Sequence, residues 1–289
     1  MISNINFMIN LPIYKKLILK LFSPILNRIY SLKNLHIGES CYIFGDGISL
    51  KWFDLTSFSD KPSFALNKIL FHKQAKYLNV KYNLFLEPYY FYPYHWDRDE
   101  TTVNITGKKF FKNNIQKKFR EIIKKQQSTI FFTSLSNYPV LRNSNVYYLY
   151  KIINDPNSAF LKECYLNNQN IFNGSFRCAT ALAIYMGFKE ITFVGCDYTH
   201  KVSRSHHWYE KGQGIINKIP EYENFFLNIA NKYAKITTIT LDGKSSFLPA
   251  QTYFEFTGKE PKFKENYDLM DKSMLDTLSK NPWYEKTIF

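Results

Sequence analysis

NGSFRCATALAIYMGFKEITFVGCDYTH, residues 173–200, is the stretch on which the fold turns. Ser175 stands where a helix N-cap belongs. Small and apolar residues then run on to Met186, and Gly187 closes the helix. The following EITFVGCDY is a short apolar run without alternation, the pattern of a strand buried on both faces. A helix feeding a strand of this kind belongs to a parallel sheet.

Working outward, the same alternation recurs. SCYIFGDGISLKWFDL, residues 40–55, has an apolar run at 41–44 that stops in Gly45-Asp46-Gly47. Glycines at such a turn allow positive φ and let a ligand approach the backbone. The first strand of an α/β sheet ends where nucleotides tend to bind. The full G-x-G-x-x-G fingerprint is absent, so an ordinary strand-to-loop turn competes with that reading. Residues 62–71, PSFALNKILF, predict a strand ending near Asn67, and residues 82–92 a strand stopped by Pro88. Apolar positions 111, 115, 119, 122 and 123 predict a helix over 110–127. STIFFTSL and NVYYLYKI read as strands, residues 220–235 as a helix opened by Pro220, and ITTITL as a last strand. The whole reads as one α/β unit with a mainly parallel sheet flanked by helices.

The composition narrows the class. The 289 residues suffice for an ample core, and 45% hydrophobic content excludes a disordered chain. Aromatics reach 18%, with 22 Tyr and 26 Phe. The net charge of +14 calls for an anionic partner, whether nucleic acid, membrane or phosphorylated substrate. The lysines are spread along the chain instead of crowding one recognition helix, which speaks against nucleic acid. Cys41, Cys164, Cys178 and Cys196 form no C-x-x-C and read as small buried residues of a reducing compartment. No apolar run is long enough to span a bilayer. Residues 9–33 place Leu17, Ile18, Leu21 and Phe22 at helical spacing among Lys15, Lys16, Lys20 and Arg28. That pattern fits an interfacial helix on anionic lipid, or a helix packed on the body. The expected division is a membrane-contact segment at 1–36, a transferase-type domain at 37–253 and a polar, weakly periodic C-terminal tail at 254–289.

Ligands of parallel sheets collect at the carboxyl ends of strands. Those positions carry Gly45, Asp46, Gly47 and Ser49; Asn67; Glu87 and Pro88; and Asn173, Gly174 and Ser175 ahead of the long helix. After the last buried strand comes GCDYTHKVSRSHHWYEKG, residues 195–212, with half of the six histidines within eight residues. Three readings compete for it. A metal site would use Cys196, Asp197, His200 and His206 or His207, but the spacing matches no usual zinc pattern. A structural loop would merely satisfy its histidines with hydrogen bonds. An active-site loop would use one as general base, a role suited to a group titrating near neutrality. The Asp97-Arg98-Asp99 triplet is similar to a metal-binding DxD but lies in a polar stretch and reads as solvated loop.

The series YIFGDGISL, FALNKILF, LFLEPYYF and NGSFRCATALAIYMGFKEITFVGCDY resembles, in order and over residues 40–241, the bacterial sialyltransferases of glycosyltransferase family 42 and the related flagellin nonulosonic-acid transferases. The resemblance implies a Rossmann-like fold of the metal-independent GT-A-variant type. It implies an inverting transferase that moves an acidic sugar (sialic acid, another nonulosonate or Kdo) from a CMP-activated donor to a glycan or glycolipid acceptor. No cofactor and no metal is implied beyond the donor substrate. By position, Gly45, Asp46, Gly47 and Asn67 match the nucleotide-binding elements, and Glu87 replaces an asparagine before Pro88. Ser175 matches a serine holding the sugar carboxylate, Asn173 and Gly174 stand beside it as further nucleotide-sugar-binding candidates, and Asp197 matches the Gly-x-Asp strand end. The catalytic base falls on His207, with His206 second. A tyrosine supporting the leaving phosphate falls on Thr199, leaving Tyr198 or Tyr209 as substitutes. The arginine expected before the Ser-Gly turn is replaced by Phe172, leaving Arg177 or Arg204 to serve. Asp46 and Glu87 put carboxylates where that family has amides. The expected setting is cytoplasmic and peripheral on the inner membrane face, with no nucleic acid bound; homo-oligomerisation is left open. A pterin or nucleotide pyrophosphokinase, using magnesium on Asp46 and Asp197, is the alternative enzyme, and a non-catalytic nucleic-acid-binding protein the alternative from another class.

Overall fold

The apolar runs of the sequence become the strands β1 Ser40–Phe44, β2 Ser63–Leu66, β3 Val80–Phe85, β4 Ile130–Ser134, β5 Val146–Leu149, β6 Glu190–Val194, β9 Lys235–Thr240 and β10 Ala250–Thr252. In the computed structural model, which describes residues 13–86, 91, 115–150, 153, 155, 157–217, 224–280 and 284–289, they form one sheet. Glu87, Pro88, the 97–99 triplet, residues 110–114 and Pro220 lie outside the described residues.

The strand order is β10-β9-β6-β1-β2-β3-β4-β5, and every neighbouring pair is parallel. The chain therefore winds outward from β1 to β5 and then returns to the other side of β1 with β6. The switch point lies between β1 and β6, where Phe44 sits beside Val194. A crevice for ligand is expected outside these two carboxyl ends. Just beyond β6 a small antiparallel hairpin, β7 Ser203–Ser205 and β8 Ile215–Asn217, stands apart from the main sheet.

The inner strands β1, β2, β3, β4 and β6 are largely buried on both faces, which is why their sequences show no polar alternation, while the edge strand β10 is not buried. In β1, Cys41 and Ile43 face one hydrophobic layer and Tyr42 and Phe44 the other. The first layer is closed by the helices Ala159–Leu166, Ser175–Tyr185 and Asn224–Ala230. The second is closed by single-turn helices after β1 (Leu50, Phe53, Leu55 and Phe58) and by helix Gln116–Lys125 through Phe119 and Ile123. All four cysteines are buried free thiols whose pKa values burial pushes up.

The ends of the chain differ most from expectation. Helix α1 (Ile13–Leu21) and a short helix α2 (Ser23–Leu26), with Pro24 in its first turn, lie along the β5 edge. The expected amphipathic set divides: Ile18 and Phe22 pack on the second layer, while Leu17 and Leu21 point to solvent. At the other end, residues 254–289 were expected as a tail. Instead Leu269, Met270, Met274, Leu275, Leu278 and Ile288 are buried in the second layer. Their helices, Asn266–Leu269, Lys272–Ser279 and Glu285–Ile288, are four to eight residues long, too short to print a period on the sequence.

Candidate active site

The glycine turn after β1 is set by its neighbour. The Gly47 amide donates to the Gly195 carbonyl at 2.8 Å. A Cβ on Gly47 would stand 2.4 Å from that carbonyl oxygen and 2.6 Å from Asp197 Cγ, and one on Gly45 2.5 Å from the same oxygen. Gly47 has φ −66°, so it is the missing side chain that matters here and not the positive φ expected from the sequence. Positive φ is needed at Gly195, φ +72°, where the loop after β6 turns under Leu50. Asp197, buried, accepts from the Ser49 amide at 3.0 Å with one oxygen and from the Ser49 hydroxyl with the other. It clasps the two strand-end loops together.

The histidine loop folds back onto this turn. Gly47 and His207 form an antiparallel bridge, and the Trp208 amide donates to the Asp46 carbonyl at 3.2 Å. His206 takes the left-handed φ of +83° that the fold-back requires. Trp208 is fully buried, with its indole N–H 3.3 Å from Asp46 Oδ1. His207 keeps 44% of its side chain exposed. Its Nδ1 lies 3.3 Å from Glu210 Oε1, and its ring stacks on Tyr209 at 4.9 Å. His206 Nδ1 lies 3.6 Å from the other Glu210 oxygen. Burial pushes the Glu210 carboxyl up, but hydrogen bonds from the His207 ring and amide, and the charges of both histidines, outweigh it and hold the pKa low.

Beneath the loop lies a brace. Tyr209, fully buried, points its hydroxyl at Lys68 Nζ (3.0 Å) and Tyr284 (3.3 Å), and Lys68 sits over both rings. Burial, with the neighbouring Tyr284 and Asp46, raises the Tyr209 pKa. Asn266 donates to the carbonyls of Tyr209 (3.0 Å) and Ile288 (2.9 Å). The buried Lys51 ammonium meets the Gly212 carbonyl at 2.7 Å and Glu265 at 3.1 Å, while Glu265 also accepts from the Gly212 amide at 3.0 Å. The Lys211 amide donates to the Thr287 carbonyl at 2.6 Å. These partners of the loop were not legible beforehand, because residues 53 to 216 positions apart in the chain carry no local pattern.

The space left between turn, loop and hairpin is a cleft of about 470 Å³ at the switch point. Of the expected residues, Gly45, Asp46, Gly47, Asn67, Ser175, Asp197, Tyr198, His206 and His207 line it, joined by Arg204 and by Ser203 and Ser205 of the hairpin. Asn67 has a left-handed φ of +48°, and the Ser175 hydroxyl reaches its side-chain oxygen at 3.4 Å. The helix N-cap is Gly174, φ +92°, and not Ser175 as the sequence suggested; a conformation that disfavours a side chain went to glycine, and the serine turns across to β2. Asn173 and Gly174 are exposed just ahead of it. Burial raises the Asp46 pKa, against the opposing pull of Lys68 and His207. Tyr209 lies under His207, not on the cleft wall. Arg177 is buried beside Asn170 and Phe226, and Thr199 is buried against Cys196 and Thr238. His200 is buried with Nε2 4.0 Å from Asp197. Among the described residues, no three His, Cys, Asp or Glu side chains gather as metal ligands would.

No family model matches the chain, and no curated protein does. Among solved structures it is similar to the sialyltransferase CstII from Campylobacter jejuni, in complex with a substrate analogue, cytidine-5'-monophosphate. The match covers 85% of this chain and 99% of that one, at 16% identity and a TM-score of 0.41.

Proposed function

We propose that the protein is an inverting glycosyltransferase that moves an acidic sugar from a CMP-activated donor to an acceptor hydroxyl. The observation that carries this reading is the meeting, in one cleft at the sheet's switch point, of the Gly45–Gly47 turn, Asn67, Ser175 and a His207 backed by Glu210. Three of the four stretches that resemble family 42 contribute to it, through Gly45–Gly47, Asn67, and Ser175 with Asp197.

In this reading the Glu210 carboxylate holds the His207 Nδ1–H form and leaves Nε2 as the acceptor of a proton. Nε2 takes the acceptor's hydroxyl proton, the oxygen bonds to the anomeric carbon, and the bond from that carbon to the phosphate oxygen breaks. CMP leaves with the electron pair. Charge growing on the phosphate is met by donors on the cleft wall: Tyr198, Arg204 and the serines of the hairpin. Asn67 and the glycine turn take the nucleotide, and Ser175 the sugar carboxylate.

Thermal-shift titration with CMP, UMP and GMP in EDTA tests the reading. CMP at about 100 times its dissociation constant adds about 2.7 kcal/mol of stability. A shift with ATP and magnesium but none with CMP would replace it with the pyrophosphokinase alternative. Against that alternative, both Asp197 oxygens are already engaged by Ser49.

A further inference from the structure

We infer that the carboxyl edge of the sheet docks on an anionic lipid bilayer, with the outer face of α1 entering the interface. On that face Ile13 is 85%, Leu17 55% and Leu21 65% exposed, one above the other at four-residue spacing. Three large aliphatic side chains in a row on the solvent side of a helix form an apolar stripe that invites a partner, while Ile18 and Phe22 on the other side pack partly on the second layer. The charge says which partner. Lys15, Lys16 and Lys20 interleave the stripe, and no Asp or Glu precedes Glu39 in the sequence. Apolar side chains flanked by lysines, without a carboxylate, fit the interface of an anionic bilayer. No helix among the described residues is long and apolar enough to cross one.

The apolar surface continues toward the cleft. Ile18 and Phe22 wall one side of a hollow of about 700 Å³ whose other side includes Leu135, Pro139, Tyr150 and Phe172. Leu135 and Tyr150 follow the carboxyl ends of β4 and β5, and Phe172 precedes the Asn173-Gly174-Ser175 turn. Beyond the end of β6, the hairpin exposes Val202, Ile215 and Ile216. The hollow and the hairpin thus share the edge on which the cleft opens, and α1 walls the hollow. Docking stands without the transfer reading; what it adds to that reading is an acceptor borne on a lipid.

Vesicle co-sedimentation needs neither donor nor acceptor. The intact chain is expected to pellet with phosphatidylglycerol vesicles, to stay in solution with phosphatidylcholine alone, and to be released by salt. Replacing Leu17→Glu together with Leu21→Glu is expected to weaken binding about tenfold or more at an unchanged melting temperature, since both side chains are exposed. Leu17→Trp is expected to shift its fluorescence to the blue on anionic vesicles. Failure of the intact chain to bind, equal binding by the double variant, or an unshifted Trp spectrum would each overturn the inference. Binding to vesicles with no CMP shift would sink the transfer reading alone.

Discussion

His207 and His206 are neighbours in sequence and share one carboxylate, yet they differ in what the backbone does with them. His206 sits at the strained fold-back, φ +83°, and His207 pairs with the glycine turn and faces the cleft. His207→Ala is therefore expected to lower turnover about 10²–10⁴-fold while CMP affinity holds, and His206→Ala to cost far less; steady-state rates and CMP titration read both. The histidine was legible in the sequence as a residue type in a strand-end loop, but its orienting partner was not, since nothing in an i,i+3 glutamate says that it will be buried. His72 offers a separate check. Burial, with Lys264 and Lys73 nearby, holds its pKa down to about 3. An unfolded histidine titrates near about 6.5, so between those values the unfolded chain binds the extra proton and stability rises with pH. Acidification through that window costs up to about 1.4 kcal/mol per pH unit. Urea unfolding between about pH 4 and about pH 6 should show a shallower slope for His72→Gln, which takes up no proton.

At the scale of elements, two devices hold the site: the glycine contact between the loops after β1 and β6, and the brace from residues 265–288. Gly47→Ala puts a methyl 2.4 Å from a backbone oxygen that cannot rotate away. Such overpacking costs about 1–3 kcal/mol, and CMP affinity is expected to fall with it; calorimetric melting and CMP titration measure the two. Glu265→Gln leaves the Lys51 ammonium buried without its charge partner. Burial lowers the Lys51 pKa and Glu265 pulls it back, so the substitution lets the lysine deprotonate more readily. Hydrogen bonds to charged groups are worth about 1.5–3 kcal/mol, and the partial exposure of Glu265 sets this one toward the lower end. Urea denaturation is expected to show that loss, and turnover to drop with it because the same carboxylate holds Gly212. GDG and GCD standing after apolar runs marked two strand-end turns, but not that the two turns touch. The brace could not, because its helices are too short and its contacts too distant.

Over the whole molecule, the parallel sheet was legible because strands buried on both faces leave unbroken apolar runs, as in CYIF and ITFV. The order in which they pair was not, since no local feature of β6 says that it returns to the side of β1 opposite β2. That return creates the crevice. The brace has a further consequence, in time and not in space. Tyr284 follows Tyr209 by 75 residues, and a ribosome adds about 5–20 residues each second, so the histidine loop is made about 4–15 s before the hydroxyl that supports it from below. A nascent chain that has emerged only through the hairpin has its glycine turn and its histidines, but not Glu265, Asn266 or Tyr284. Ordering of the cleft is thereby tied to the translation of residues 265–288, and stalled or prematurely terminated chains that lack them are left with an unbraced loop.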